Sequence, residues 1–99
     1  MALSRNQRLI LELLATRRGE ISGIDLANFI GGLARSSVYA ALSALQRDGL
    51  VDARWDHEEP HPRRMVRIND AGLAALAEEQ QAMRTALRSA RRSTRRSTT

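Results

Sequence analysis

Apolar residues recur at helical spacing through most of this chain, and the interruptions mark its joints. Leu9, Ile10, Leu13 and Leu14 predict a helix from Arg5 to about Thr16. Leu3 and Leu11 widen its apolar face, which points to contact with more than one neighbour. Gly19 ends this helix, and Glu20-Ile21 is placed to add a short strand. Ser22, with Asp25 three residues on, is a good N-cap for a second helix. That helix turns Leu26, Ala27 and Ile30 inward and ends at Phe29 or Ile30. Gly31-Gly32 breaks the pattern, and about four residues of turn lead to the next helix, the length expected of a helix-turn-helix.

Residues 36 to 50 are the most informative. They predict a short capped helix over 36–48 whose buried stripe is Val38, Ala41, Leu42 and Leu45, closed by Gly49. An alternating segment follows from Leu50 to Asp56, then a charged loop punctuated by Pro60 and Pro62, then a second alternation from Met65 to Ile68. Helix, strand, polar loop, strand, after two earlier helices, is the order of a winged helix-turn-helix. Asn69 or Asp70 then caps a long helix that runs to about residue 90. Leu73, Leu76, Gln80, Met83, Leu87 and Ala90 keep a 3-4-3-4 spacing on it, a heptad seam with one polar member.

The expected fold is therefore mainly α with a small β-wing: a winged helix-turn-helix over 1–70, a C-terminal dimerisation helix over 71–90 and a basic, disordered tail over 91–99. Leu73, Leu76, Gln80, Met83 and Leu87 would pair two chains, with Leu3 and Ile10 of the first helix assisting. Pairing also suits the size. Ninety-nine residues make one small core of marginal stability, and with no cysteine neither disulfides nor thiolate metal sites can reinforce it.

Charge refines this picture. All 16 basic residues are arginines, and the net charge of +5 is unevenly placed. Residues 1–83 hold ten arginines against eleven acids, whereas 84–99 hold six arginines and no acid. A body so close to neutral can bind nucleic acid only through local clustering. With no apolar run long enough to span a bilayer and no signal-like N-terminus, a cytoplasmic, nucleoid-associated protein is expected, with no membrane partner.

Clustering is available. On the 36–48 helix, Ser36, Ala40, Ser43 and Arg47 lie opposite the buried stripe, flanked by Ser37 and Tyr39. Small residues there let the backbone approach a groove, and hydroxyls and the helix N-terminus suit phosphates or base edges. Arg35 is the best-placed long donor for phosphate or guanine, and Ser22 counts with the group. At the wing, Arg63 and Arg64, with Arg54 and Arg67 on the flanking strands, could reach phosphates; His61 is a minor, pH-dependent candidate. Asp56, Glu58 and Glu59 oppose such contact unless they face outward.

Nothing supports catalysis. His57 and His61 lie in a proline-broken loop, so neither metal geometry nor a packed general base is implied, and no phosphate-binding glycine loop follows a strand. No cofactor is expected, and a small-molecule effector has no support. Trp55 shares strand parity with Val51 and Ala53, so it is expected to pack under the wing. The arginine tail reads as a solubilising end, a sequence-independent DNA clamp or a membrane-surface contact; the lack of apolar residues beyond Ala90 argues against membrane insertion.

The blocks Ile10-Leu11-Glu12-Leu13-Leu14, Ser22-Gly23-Ile24-Asp25-Leu26-Ala27, Ser37-Val38-Tyr39-Ala40-Ala41-Leu42, Leu45-Gln46-Arg47-Asp48-Gly49-Leu50-Val51 and Pro62-Arg63-Arg64 through Asp70-Ala71-Gly72 together resemble the PadR family of transcriptional regulators, in order and spacing, over about residues 8–77. The likeness is to the short subfamily with a single C-terminal helix. It implies a homodimeric repressor on an inverted repeat, in a family where some members release DNA on binding small aromatic compounds. Ala40 stands where the family usually has proline, Ile24 replaces an aromatic, Met65-Val66 replaces a tyrosine-rich strand start, and Asn69 takes the customary threonine cap position. These departures fit the fold but remove aromatics that could line a ligand pocket. A second reading, favoured by the near-neutral body, is a winged-helix protein-interaction module whose arginine tail tethers nucleic acid unspecifically.

Overall fold

The structure, a computed structural model, describes residues 3–17, 19–57 and 62–97, the last five of these by backbone alone. The element order is α1 (Arg5–Arg17), β1 (Ile21–Ser22), α2 (Gly23–Phe29), α3 (Arg35–Arg47), β2 (Val51–Asp56), β3 (Arg63–Ile68) and α4 (Asp70–Ser97). The expected winged helix is borne out: helices carry a small three-stranded antiparallel sheet in the order β1-β3-β2.

Side-chain caps start α1, α2 and α4 but not α3. Ser4 and Gln7 form a reciprocal capping box at α1: the Gln7 N–H donates to Ser4 Oγ at 3.1 Å and the Ser4 N–H to Gln7 Oε1 at 2.8 Å. Ser22 caps α2, its Oγ accepting from the Asp25 N–H at 3.0 Å. The cap expected on the 36–48 helix is absent. The helix starts one residue earlier, at Arg35, behind Ala34, which offers no side-chain acceptor. Gly49 closes α3 at φ +75, a conformation L side chains rarely adopt, and lets the Leu50 N–H return to the Leu45 carbonyl at 2.9 Å.

One core unites the elements. Ile10, Leu11 and Leu14 of α1 meet Leu26 of α2, Val38, Leu42 and Leu45 of α3, and Val51 and Val66 of the sheet. Full burial of each such side chain contributes roughly 1.5–3 kcal/mol. The buried α3 stripe is the expected one.

Three expectations fail on burial. Ile10 is fully enclosed and Leu76 is 6% exposed, both within the core of a single chain, so neither is free to pair two chains. Leu3 is only half-buried: it packs against its own core, its N–H donating to Glu79 Oε1 of α4 at 2.7 Å, and keeps part of its surface free. Trp55 does not lie under the wing: it is 60% exposed. Its parity is the expected one, since it shares a sheet face with buried Val51 and with Val66, but near the far end of β2 that face is open to solvent.

Over 91–97, where a disordered tail is expected, α4 continues to Ser97; residues 98–99 lie outside the described residues. Serine-, threonine- and arginine-rich composition suggests disorder, yet no glycine or proline follows Gly72 in α4. Arginine and alanine are strong helix formers, and cations at the C-terminal end complement the helix dipole. From Gln80 to Arg92 every side chain is exposed, so the helix leaves the body and contributes to a longest dimension of 67 Å.

Candidate nucleic-acid interface

The outward face of α3 is an exposed strip of small and polar residues. Ser36, Tyr39, Ala40, Ser43 and Arg47 are all exposed, and Ser37 is half-buried at its edge. They face outward because the opposite positions carry the buried stripe, so packing alone fixes which side chains a duplex would meet. Arg35 is also exposed but leans back, its Nη2 donating to Asn28 Oδ1 at 3.0 Å. That tie holds the guanidinium beside the α2–α3 turn. Arg47 has only a 3.9 Å approach to its neighbour Asp48.

The sequence group loses one member. Ser22 is 2% exposed and its hydroxyl is occupied as the α2 cap, so it supports the turn from beneath and cannot reach a duplex.

The wing arginines divide by sheet face. Register pairs Trp55 with Arg64, Arg54 with Met65 and Asp52 with Arg67. Arg54 belongs to an ionic cluster on the outer face. Its Nε and Nη2 donate to Glu20 at 2.6 and 2.9 Å, and Arg67 Nε lies 3.8 Å from Asp52. Hydrogen bonding from Arg54 holds the Glu20 carboxyl below the usual carboxylate range, assisted by the charges of Arg54 and Arg67. The two arginines are thus engaged with acids before any phosphate arrives.

Arg64, paired with Trp55, lies on the other face, toward α3, while Arg63, paired with Asp56, alternates to the Arg54 face at the end of the strand. They share one recess with Tyr39, Trp55, Ile24 and Pro62. Tyr39 is the exposed residue through which the α3 face borders this recess. Trp55 and Ile24 line it although periodicity does not select them; the available signal is Trp55's place at the distal end of a strand, beyond the reach of the core. His61 lies outside the described residues.

On α4 the stripe is continuous but unevenly covered. Leu76 docks on the body, while Leu73, Gln80, Met83 and Leu87 remain exposed. Arg84, Arg88, Arg91 and Arg92 follow, all exposed. Among the described residues, no cluster of three or more histidines, acids or cysteines could hold a metal, and no helix is long and apolar enough to cross a membrane.

Comparison with known proteins bears on this surface. The model of the transcriptional regulator PadR-like family matches residues 10–78. Among solved structures, a PadR family transcriptional regulator from Eggerthella lenta is similar with a TM-score of 0.72 at 22% identity, covering 89% of this chain and 82% of that one. A PadR family regulator from Clostridium difficile gives 0.73 at 17% identity, covering 90% and 97%. Bacillus subtilis PadR, in complex with operator DNA, gives 0.68 at 23% identity over 80% of this chain, which spans only 48% of that protein. No curated protein matches the sequence.

Proposed function

Because the chain belongs to the PadR-like family of transcriptional regulators, we propose that it binds DNA sequence-specifically as a homodimer on an inverted-repeat operator and represses transcription there. One observation carries the reading: the exposed face of α3 and the wing arginines Arg63 and Arg64 adjoin through a shared recess, so one duplex can meet both. In this reading α3 enters the major groove. Ser36, Ser37, Tyr39, Ala40, Ser43 and Arg47 position and read, and Arg35 anchors the turn to a phosphate. Arg63 and Arg64 hold the backbone beside the groove. The similar Bacillus subtilis protein, held in complex with operator DNA, supports it.

Leu73, Gln80, Met83 and Leu87 would form the pairing seam, since a row of large apolar side chains in water favours a second copy. The exposed arginines beyond it would add sequence-independent phosphate contact. The protein acts in this reading as a binding protein of the cytoplasm, not as an enzyme.

A random-library selection combined with a salt titration tests the proposal. It should return a palindrome whose half-sites lie about 34–36 Å apart, or a multiple of that. Enrichment of no sequence at moderate salt overturns it, and would favour the interaction-module reading, for which the near-neutral 1–83 segment speaks. Arg→Gln changes within 91–96 separate the two: they abolish nucleic-acid binding in a tethering module and leave sequence preference intact in a regulator.

A further inference from the structure

The sheet face turned toward the helices changes character along its length. On β2 it presents Val51, Ala53 and Trp55; opposite them on β3 stand Ile68, Val66 and Arg64. Val51 is 3% and Val66 1% exposed, whereas Trp55 is 60% exposed and Arg64 half-buried. The apolar face therefore runs past the end of the core and finishes in a cross-strand pair, an indole beside a guanidinium. Paired Cβ atoms lie roughly 4.5–5.5 Å apart, so a ligand meets both groups together.

Gly23 marks how closely this end of the wing approaches α3. A Cβ there would stand 3.5 Å from Tyr39 Cε1 and 4.0 Å from the Arg64 carbonyl oxygen, so the tyrosine ring and the β3 backbone converge on it. Tyr39 belongs to the exposed strip of α3, and Trp55 and Arg64 thus continue that strip across the recess. Among the described residues no acid lines the recess. An indole left mostly in water contributes little to folding. Beside a cation it matches the alternation of a DNA strand, where anionic phosphates are separated by the largely apolar faces of deoxyribose rings.

We infer that Trp55 and Arg64 form a composite grip on the sugar–phosphate backbone, Arg64 on a phosphate and the Trp55 ring on the adjacent deoxyribose. The inference rests on the DNA-binding reading above and adds to it a non-ionic contact. Residues 1–83 hold ten arginines against eleven acids, so long-range attraction from the body is weak. Burial of Trp55 displaces no counterion and strengthens binding alike at every salt concentration, whereas the Arg64 contact weakens as salt rises. A sugar contact also meets no base edge, so it carries affinity without reading sequence.

Trp55 is the only tryptophan in the chain, so its emission reports this contact alone. The full-length protein is titrated into a labelled duplex carrying the selected operator, or a mixed sequence if selection enriches none. Trp55 emission should change in step with duplex anisotropy, and the bound indole should become less accessible to acrylamide. Trp55→Ala should weaken binding about tenfold, as expected of roughly 55 Å2 of apolar surface kept in water. Its plot of log K against log salt should run parallel to wild type, and the ranking of single-base operator variants should not change. Trp55→Phe should recover much of the loss. Because Trp55 is exposed, thermal unfolding of both variants should match wild type. Rising anisotropy with unaltered Trp55 emission and quencher access overturns the inference and leaves the DNA-binding reading standing. Wild-type affinity in folded Trp55→Ala does the same. A flattened salt slope or a changed ranking in that variant overturns the assignment to deoxyribose. Unchanged anisotropy with every duplex overturns the grip and the DNA-binding reading together.

Discussion

Arg54 on β2 holds Glu20, at the threshold of β1, by two hydrogen bonds of 2.6 and 2.9 Å. A guanidinium that the sequence offers to DNA is thereby committed to the sheet, tying its outer strands across β3. The Glu20 carboxyl sits below the usual range, first because Arg54 hydrogen-bonds its ionised form. A carboxylate with a depressed folded-state pKa stabilises the fold above its unfolded pKa, and that contribution disappears as pH falls through the folded value. The window for this pair thus lies in acid, and its contribution does not vary around neutral pH. Carboxyl-carbon NMR should give Glu20 a midpoint below that of a model peptide, and Arg54→Gln should return it to the ordinary range. An unmoved midpoint would count against the tie.

The same division of arginines predicts different salt responses. Removing one phosphate-neutralising cation should flatten the log K against log salt plot by roughly 0.9. Arg64→Gln should show such a change with operator DNA, and Arg54→Gln should leave the slope near wild type. Equal slopes for the two variants would remove the distinction drawn between the wing's faces.

Gly72, in the first turn of α4, has no room for a side chain. A Cβ there would collide with the Leu50 carbonyl and lie 2.7 Å from Ile68 Cγ1. Because one obstacle is backbone, relief requires α4 to move away from the sheet. Gly72→Ala should therefore cost about 1–3 kcal/mol in urea unfolding, despite alanine's better helix propensity. A stabilised variant would mean that α4 approaches the sheet less closely.

Two leucines of one stripe should behave oppositely. Leu76→Ala cuts into the core of a single chain and should lower stability by about 2–5 kcal/mol. Leu87→Glu, on the exposed part of α4, should leave the circular dichroism spectrum of the isolated chain intact while sedimentation shows the pair dissociating. If both merely unfold the protein, the seam is not a separate interface.

Legibility followed packing. The α3 stripe, the glycine closures and the wing were readable because Val38, Leu42, Leu45, Val51 and Val66 repeat at the period of their own elements. Periodicity says which face is apolar but not how far a neighbour covers it. Hence Leu76 and Leu87 look equivalent on one helix, and Trp55 looks like Val51 on one strand. The Ser4–Gln7 box was legible in principle as a Ser-x-x-Gln pattern ahead of an apolar run. The end of α4 was not: its low-complexity composition masks residues whose individual helix propensities are high. For the interface, sequence found the α3 face and Arg63-Arg64. It missed Trp55 and Ile24, and misjudged Ser22, whose local capping role and burial remove it from any surface.

The side chain of Asn69 caps α4 through the Gly72 N–H at 2.9 Å, donates to the Gly49 carbonyl at 2.9 Å and reaches Asp52 at 3.1 Å. The turn after α3, the base of the wing and the root of α4 are thus pinned at one amide. In the proposed dimer, the angle between reading head and pairing arm would decide which half-site spacings can be spanned at once. That angle is held here by this polar joint together with Gly72 and Leu76, which seat α4 on the body. On that reading, a change at this joint would alter the spacings two copies can span and leave the contacts to each half-site untouched.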